Sequence, residues 1–390
     1  MGHSLDDPKA LFAERARNQG LKCTRNPSLY KRLLDNRDLQ NKTEAERTQW
    51  AQDVLGFVFA SLLAPVEDVV CLPTFWQPGS KDPVLYDTTV RLDGFVGVAG
   101  RKPIPAYLFL PKVKHDEPFA PRGAVVLIHG HDSGRIELID NPNGYQKAMG
   151  LKLAQAGFIV LVADNISWGT NDPDGDGIGK HAKDFKTYYG QFQPNGLLTR
   201  NLQDVFHQVT LLQGLYVAPD AGLQRWNVAN PDAPDATQAV RAIGISGLSY
   251  GAQVASYMVL DPRPTSYVIA SGLIDTCDVL QNDHHECQTI PSFEGVVTIW
   301  DTLIAAAMLD RPRFGLGSGR PWILVEQGER DKIYKNWGQQ GLTEIQLQAT
   351  DLDLTQLTVH KSKRDGHTYM VSETLKFFQN TLRGSAEIRE

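Results

Sequence analysis

The sequence has few cysteines, no run of basic residues and no long apolar stretch. Its four cysteines include no CxxC pair, which argues against a zinc-finger or thioredoxin-like site. The formal net charge is −6 and Lys and Arg do not cluster, so a nucleic-acid partner is not expected. The longest apolar stretch, 54–66, is too short to cross a bilayer, which takes about 20 residues. These absences predict a globular protein without a membrane span.

The start of the chain lacks the apolar core of a signal peptide. We therefore expect a soluble chain, either cytoplasmic or secreted with its signal already removed, and the compartment stays open. Four reduced, packed thiols are the simplest prediction for the cysteines. If disulfides form, Cys277 and Cys287 are the favoured pair because they are close in sequence, and Cys23 and Cys71 would be the second pair.

Residues 1–78 are predicted to form an N-terminal helical extension. Thr43 and Glu46 have the spacing of a capping box at the start of a helix. An apolar stripe follows on one helical face, formed by Trp50, Val54, Phe57, Val58 and Leu62. Because such a stripe must be buried against another part of the protein, we expect the extension to pack on a larger domain that spans residues 79–390.

From about residue 84 the hydrophobic pattern changes to strands that alternate with helices. A first pair of predicted strands covers 84–92 and 104–111, with Gly94, Gly97 and Gly100 in the connection. A continuous apolar run ending in glycines covers 123–134 and is typical of a strand buried on both faces, and a second buried strand is predicted at 157–165. Further strands are predicted at 239–246, 266–272, 321–328 and 354–362. Predicted helices cover about 145–156, 198–212, 252–260 and 371–382. The alternation predicts a doubly wound, mostly parallel α/β sheet, in which ligands bind beyond the carboxyl ends of the strands.

Two serines lie in the glycine-rich segment GISGLSYGAQ, residues 244–253. Residues 247–251 fit the pattern G-x-S-x-G, which permits a sharp turn from strand to helix with the serine exposed at its apex. The corresponding frame around Ser246 ends in Leu248 instead of glycine, and Ser246 is predicted to end the strand. We therefore predict that Ser249 is a nucleophile and Ser246 a structural neighbour, although a plain tight turn can have the same pattern.

A nucleophilic serine needs a general base, and the base needs an acid that orients it and stabilises its cation. Asp331 lies three residues beyond a predicted buried strand, where the acid belongs in a Ser–Asp–His chain order. His367 lies between the last predicted strand and the last helix and is the predicted base, whereas His360 lies inside a strand and is expected to be structural. The weaker acid candidates are Glu326, Glu329 and Asp365.

The oxyanion of a tetrahedral intermediate needs two hydrogen-bond donors. One is expected to be the backbone amide after the nucleophile, that of Tyr250, and the other an amide in the loop HGHDSG. We assign the second donor to His131, with Asp132 as the alternative. The side chain of His129 is expected to make structural hydrogen bonds.

The segment DPDGDG, residues 172–177, resembles the start of a calcium-binding loop. Its acidic residues are Asp172, Asp174 and Asp176. The position that should supply a closing glutamate is Lys183, so a polar turn is predicted rather than a calcium site.

The segment CDVLQNDHHEC, residues 277–287, gathers residue types that bind zinc. The adjacent His284 and His285 cannot easily share one site with both cysteines, so no metal is predicted. Because the segment follows a predicted strand at its carboxyl end, we expect it to belong to a lid-like insert over about 272–318.

These motifs together resemble the α/β-hydrolase superfamily, and most closely its dienelactone hydrolase and acetyl xylan esterase-like branch. The resemblance rests on RKPIPAYLFLPK, VVLIHGHDSG, IGISGLSYGAQVA, RPWILVEQGERD and DGHTY, which occur in the family's order within residues 84–385. It implies a serine hydrolase with no cofactor and with Ser249, Asp331 and His367 as its triad. Serine instead of cysteine at position 249 departs from dienelactone hydrolases proper and favours an esterase.

The combined prediction is a carboxylic ester hydrolase that acts on short-chain or acetyl esters of small molecules or carbohydrates. An amidase or peptidase, or a carbon–carbon bond hydrolase acting on a β-diketone, could use the same triad. An inactive binding module on a hydrolase scaffold is the alternative outside enzymology, and the intact triad argues against it. The extension and the insert depart from a minimal dienelactone hydrolase, which leaves the shape of the substrate pocket open. The sequence also does not reveal the acyl length, the alcohol moiety or the oligomeric state.

Overall fold

A computed structural model describes most of the chain. The described residues are 38–62, 74–76, 83–97, 102–112, 121–131, 134–166, 168–171, 196–219, 226–228, 237–238, 240, 242–273, 299–313 and 317–382. The four cysteines, the aspartates of the calcium-like segment and Asp132 lie outside these residues. The predictions made for them therefore stay predictions.

Ten of the described strands form one sheet. They are β1 (Thr74–Trp76), β2 (Val84–Leu85), β3 (Thr89–Gly97), β4 (Ile104–Pro111), β5 (Ala124–Ile128), β6 (Ile159–Ala163), β10 (Ile243–Leu248), β11 (Ser266–Ala270), β14 (Trp322–Gly328) and β15 (Leu357–Ser362). Their order is β1-β3-β4-β6-β5-β10-β11-β14-β15, with β2 paired to β3. From β6 to β15 every pair is parallel, whereas β1 to β4 pair antiparallel and β4 pairs antiparallel to β6. The predicted doubly wound, mostly parallel sheet is confirmed.

Five short strands form two smaller sheets, and eight helices are described. The strands are β7 (Tyr216–Pro219), β8 (Trp226–Val228), β9 (Thr237–Gln238), β12 (Arg311–Arg313) and β13 (Gly317–Gly319). The helices are α1 (Glu44–Leu62), α2 (Glu137–Asp140), α3 (Met149–Gln155), α4 (Gly196–Gln213), α5 (Tyr250–Tyr257), α6 (Ile299–Met308), α7 (Lys335–Asp351) and α8 (Val371–Thr381).

The main sheet is buried on both faces, because side chains alternate between two hydrophobic clusters. In β5, Val126 and Ile128 belong to one cluster and Val125 and Leu127 to the other. The first cluster also holds apolar residues of α1, α4, α5, α6 and α7, and the second holds residues of α2, α3 and α8. The molecule therefore has helices on both sides of a central sheet, which explains the continuous apolar runs in the sequence.

The boundaries of two predicted strands differ from the structure. Gly94 and Gly97 lie inside β3 and not in the connection, because the antiparallel pairing with β4 continues as far as Val96 opposite Ile104. The strand before the glycine-rich turn continues to Leu248 and does not end at Ser246. Its pairing with β11 extends to Leu248 opposite Ala270, so Ser246 is an interior residue of the strand.

The helix α1 packs into the first hydrophobic cluster. Its capping box is present, since Thr43 N donates to Glu46 Oε2 at 2.8 Å and Glu46 N donates to Thr43 Oγ1 at 3.4 Å. Trp50, Val54 and Val58 of this helix are buried in the same cluster as residues of α6. Within the predicted insert over 272–318, α6 is thus a core helix, and the lid-like role of the rest of the insert stays a prediction.

Candidate active site

The predicted site residues follow four parallel strands of the main sheet. His131 lies beyond β5, Ser249 directly after β10, Asp331 beyond β14 and His367 beyond β15. Because parallel strands end at one edge of a sheet, these four residues share the edge where α/β proteins bind their ligands.

Ser249 occupies a strained turn between β10 and α5. Its backbone has φ 60° and ψ −122°, a conformation that residues with a side chain rarely adopt, and the residue is buried. The turn is tight on both sides, because a Cβ at Gly247 would lie 2.0 Å from the carbonyl oxygen of Gly251 and a Cβ at Gly251 would lie 2.2 Å from that of Ile128. The two glycines of the motif are therefore required by close backbone approach.

Ser246 lies away from this turn, in the interior of β10. Its side chain is fully buried, and its hydroxyl forms a hydrogen bond of 3.2 Å with the hydroxyl of Tyr369. Ser246 therefore has a structural contact within the molecule, in line with the sequence-based interpretation.

Asp331 and His367 are joined by a hydrogen bond. Nδ1 of His367 lies 2.8 Å from Oδ2 of Asp331, and the aspartate is buried. The other carboxylate oxygen, Oδ1, accepts from the backbone amides of Ile333 at 2.8 Å and Tyr334 at 3.1 Å. Gln327 adds a third donor, since its Nε2 lies 2.6 Å from Oδ2. The carboxylate is thus fixed in one orientation with one oxygen directed at the imidazole.

The surroundings of Asp331 favour its charged form. Burial raises the pKa of the carboxyl, but the hydrogen bond and charge of His367 and the amides of Tyr334 and Ile333 lower it by more. The resulting pKa lies below the ordinary value of 3.8, so Asp331 is ionised at neutral pH.

The second imidazole nitrogen of His367, Nε2, is not bonded to Asp331. Nε2 is buried and accepts no hydrogen bond from the described residues, including Ser249. In unliganded enzymes the bond between nucleophile and base is often long and shortens when substrate binds. The predicted contact between Ser249 and His367 stays a prediction, whereas the bond from His367 to Asp331 is present.

The other acidic candidates have different partners. Glu326 is fully buried and accepts from the amide of Met370 at 2.9 Å, and Glu329 forms an exposed ion pair with Lys361 at 3.6 Å. Asp365 accepts a hydrogen bond from the hydroxyl of Ser362. The remaining histidine considered, His360, lies within β15, opposite Glu326 in the neighbouring strand.

The two residues expected to supply the oxyanion donors belong to one cluster of rings with Trp168. The ring of Tyr250 stacks on Trp168 at 4.9 Å, and the ring of His131 contacts Tyr250 edge-on at 5.3 Å and Trp168 at 5.4 Å. Tyr250 begins α5, where backbone amides have no partner within the helix itself. The two residues expected to supply the oxyanion donors are therefore neighbours, and their role stays a prediction.

His129 makes structural hydrogen bonds, as expected. Its Nε2 accepts from the backbone amide of Asn165 at 2.9 Å, so the proton is on Nδ1, which donates to the carbonyl of Gly130 at 2.7 Å. The side-chain amide of Asn165 also donates to the His129 carbonyl at 3.2 Å. The neutral imidazole thus fixes the start of the loop that leads to His131.

Sequence reasoning missed three residues that contact the Asp331–His367 pair. Gln327 donates to Asp331, while the rings of Tyr145 and Tyr334 contact the ring of His367 at 5.6 and 5.3 Å. Gln327 and Tyr334 lie within four residues of Asp331, so nearness to a predicted acid could have marked them. Tyr145 is distant from the triad in sequence and had no such signal.

No group of His, Cys, Asp and Glu in the described part of the chain is arranged to hold a metal ion. Among the helices that the structure describes, none combines the length and the apolar composition needed to cross a membrane.

Comparison with known proteins gives structural likeness only. No protein-family model matches the sequence. No curated protein matches it either. Among solved structures, a Bacteroides fragilis protein assigned as an acetyl xylan esterase has a TM-score of 0.56 and 11% identity, over 89% of this chain and 86% of its own. This likeness shows that the chain has the α/β-hydrolase fold.

Two further structures are similar at lower TM-scores. Acetyl xylan esterase 1 from a Thermoanaerobacterium species has a TM-score of 0.48 and 15% identity, over 85% of this chain and 93% of its own. A Klebsiella pneumoniae protein assigned as a dienelactone hydrolase has a TM-score of 0.46 and 14% identity, over 75% of this chain and 99% of its own.

Proposed function

We propose that this protein is a cofactor-independent carboxylic ester hydrolase with Ser249, His367 and Asp331 as its catalytic triad. The observation that carries the proposal is the buried Asp331–His367 hydrogen bond of 2.8 Å, with His367 Nε2 left to accept a proton. Ser249 supports it, since it occupies a strained turn after a strand that ends at the same edge of the sheet. Strained backbone of this kind clusters at functional sites.

In the proposed acylation step, the hydroxyl of Ser249 attacks the ester carbonyl and transfers its proton to His367 Nε2. The carbonyl oxygen becomes an oxyanion, which the backbone amides of Tyr250 and His131 stabilise. The C–O bond to the alcohol then breaks, and His367 gives its proton to the leaving alkoxide. The products of this step are the free alcohol and an ester between the acyl group and Ser249.

Deacylation repeats the sequence with water as the nucleophile. His367 removes a proton from water, and the hydroxide attacks the acyl-enzyme carbonyl. Collapse of the second tetrahedral intermediate releases the carboxylic acid and returns the proton to Ser249. Asp331 stays ionised throughout and stabilises the imidazolium that forms in each half of the cycle. Its low pKa suits this role.

We propose acetyl and other short-chain esters as the substrate class, with acetylated carbohydrates among them. The support is the similarity of fold to a Bacteroides fragilis protein assigned as an acetyl xylan esterase, together with the serine at position 249. Hydrolysis rates for p-nitrophenyl acetate, butyrate and octanoate would test the acyl length. Acetate release from acetylated xylan would test the carbohydrate.

Labelling with a fluorophosphonate tests the nucleophile. Intact mass should show one adduct on the wild type and none on Ser249→Ala, which should also lose turnover of p-nitrophenyl acetate by about 10³-fold or more. Ser246→Ala is the matched control, because it removes a buried serine hydroxyl three residues away and should leave labelling in place. An adduct on Ser249→Ala, or a wild type that is neither labelled nor active, would refute the proposed mechanism.

The same preparations separate the alternative chemistries. A peptidase or amidase would hydrolyse p-nitroanilides at rates comparable to esters, and a carbon–carbon hydrolase would cleave a β-diketone faster than p-nitrophenyl acetate. Either result would keep Ser249 as the nucleophile and replace the proposed substrate class. A binding module would show no turnover with any of the three substrate types.

A further inference from the structure

Tyr145 contacts both halves of the site through different atoms. Its ring stacks on the ring of His367, with 5.6 Å between the centroids and 18° between the planes. Its hydroxyl donates to the carbonyl of His131 at 3.0 Å, on the loop assigned to the oxyanion donor. One side chain therefore connects the predicted base to the loop beside the nucleophile.

The hydroxyl of Tyr145 also lies close to Ser249. A Cβ placed on Gly130 would lie 2.7 Å from the Tyr145 hydroxyl and 3.0 Å from the Cβ of Ser249. Gly130, Tyr145 and Ser249 thus meet in one place. Gly130 leaves the space that the tyrosine hydroxyl needs to reach the His131 carbonyl.

The backbone of Tyr145 is bonded to the loop that carries His367. Its carbonyl oxygen accepts from the hydroxyl of Thr368 at 2.6 Å and from the amide of Tyr369 at 3.3 Å. The ring and the carbonyl of Tyr145 therefore hold the same loop at consecutive residues, from His367 to Tyr369.

The chain that follows Tyr145 keeps a costly conformation. Lys147 and Ala148 both have positive φ, 57° and 49°, although neither is glycine. Gln146 is fully buried, and its Oε1 accepts from the amide of Gly130 at 3.3 Å. Strain of this kind persists only where the surrounding contacts determine the backbone, so the segment has one defined position against the site.

We propose that Tyr145 is a positioning residue that sets the geometry of His367 relative to the oxyanion loop. This inference rests on the proposed function. Asp331 holds one nitrogen of the imidazole, and the stacked ring of Tyr145 limits the tilt of the imidazole plane. The hydroxyl bond ties that same ring to the backbone of His131. Transfer of a proton between Ser249 and His367 requires this alignment, because small displacements of reacting groups cost large factors in rate.

Two variants separate the two contacts of the side chain. Tyr145→Phe keeps the stacked ring and removes the hydroxyl, and Tyr145→Leu removes both. The kcat of each variant for p-nitrophenyl acetate is expressed per active site, with the sites counted by fluorophosphonate labelling carried to completion. Unfolded molecules are then not counted. Tyr86→Phe is the control, since the Tyr86 hydroxyl accepts from Arg91 in the antiparallel part of the sheet.

We expect kcat per titrated site to fall about tenfold in Tyr145→Phe and about a hundredfold in Tyr145→Leu, with KM within about threefold of the wild type. Tyr86→Phe should stay within about twofold. A kcat per titrated site in Tyr145→Phe equal to that of the wild type would overturn the inference, even if Tyr145→Leu fails to fold. A rise in KM alone would also overturn it, because Tyr145 would then be a substrate contact. Failure of the wild type to react with fluorophosphonate would instead refute the proposed function on which the inference rests.

Discussion

Gln327 and His367 share one oxygen of Asp331. The amide nitrogen of Gln327 lies 2.6 Å from Oδ2, and the imidazole Nδ1 lies 2.8 Å from the same atom. Gln327 is fully buried, and a Cβ at Gly338 would lie within 3.0 Å of its side-chain amide, so the amide has little room to rotate. A hydrogen bond to a charged oxygen in such a place is worth about 1.5–3 kcal/mol.

Replacement of Gln327 by methionine should therefore remove the hydrogen bond to Oδ2 of Asp331, while the volume of the side chain changes little. We expect kcat for p-nitrophenyl acetate to fall about tenfold with little change in KM, because the carboxylate can then turn away from His367. The control is Gln348→Met, which makes the same substitution in the part of α7 that leads towards β15 and should leave kcat unchanged. Unchanged kcat in Gln327→Met would show that the two backbone amides on Oδ1 suffice to orient the acid.

Glu326 connects β14 to the start of α8. Its Oε1 accepts from the amide of Met370, and the hydroxyl of Thr374 lies 3.1 and 3.2 Å from its two oxygens. Burial raises the pKa of Glu326 to about 8, against the lowering effect of these hydrogen bonds and with a small further rise from the charges of Glu373 and Asp365. A neutral carboxyl can donate to Thr374 and still accept from Met370.

The stability of the wild type should consequently depend on pH through Glu326. Between the ordinary pKa of 4.5 and the folded value of about 8, the folded state holds a proton that the unfolded state releases. The contribution of Glu326 to the free energy of unfolding therefore falls as pH rises through this range. Glu326→Gln is neutral at every pH and keeps the shape of the protonated acid. The melting temperature of Glu326→Gln minus that of the wild type should therefore increase between about pH 5 and about pH 8.

Thermal denaturation followed by circular dichroism at several pH values measures this difference. Glu344→Gln, an exposed position on α7, should show no such trend. A constant difference between Glu326→Gln and the wild type across the range would mean that Glu326 has the same pKa in both states.

Two glycines in helices should respond to alanine in opposite directions. A Cβ at Gly251, in α5, would lie 2.2 Å from the carbonyl oxygen of Ile128, whereas a Cβ at Gly56, in α1, meets nothing within 4 Å. Gly251→Ala should lower the free energy of unfolding by about 1–3 kcal/mol through overpacking and displace the turn at Ser249. Gly56→Ala should raise it by up to about 1 kcal/mol, because alanine favours helix.

Urea unfolding of the two variants gives both values, and fluorophosphonate labelling reports the turn. Gly251→Ala should lose labelling even where circular dichroism shows it folded. Equal stability of the two variants would contradict the close approach of α5 to β5.

At the scale of the whole molecule, α1 belongs to the helical layer that covers one face of the central sheet. Trp50 and Val58 are buried with residues of α6 and α7, although these helices lie far apart in sequence. The predicted extension over residues 1–78 therefore includes at least one helix that shares the core of the α/β domain. We propose that this helix is required for the stability of the whole domain.

Replacement of Trp50 by alanine should lower the free energy of unfolding by about 3–5 kcal/mol, the usual cost of removing a buried large aromatic side chain. Gln52→Ala, exposed on the same helix, should change it by less than about 0.5 kcal/mol. For Trp50→Ala, the urea midpoint measured by circular dichroism and the midpoint measured by loss of fluorophosphonate labelling should shift together. A labelling midpoint that stays at the wild-type value would show that the site is independent of α1.

Local features of the sequence were enough to predict most strands of the main sheet, several of its helices and the strand ends at which the candidate triad lies, but α6 and α7 were not predicted. The capping box of Thr43 and Glu46 and the strand before Ser249 depend on residues close in the chain, where propensity and hydrophobic period act directly. The ends of these elements were less accurate. The strand β10 runs two residues further than predicted because it continues to pair with β11, and that partner cannot be seen from β10 alone.

The amino-acid sequence established which residues stand at the ends of the parallel strands, because the motif G-x-S-x-G and the apolar runs are local signals. It also restricted the acid to a few carboxylates. Contacts distant in sequence decided the rest: His367 bonds Asp331, Glu326 is enclosed beneath α8, and Tyr145 bridges two loops. Such contacts depend on how strands and helices pack, and packing brings together side chains whose separation in the chain carries no periodic or compositional signal.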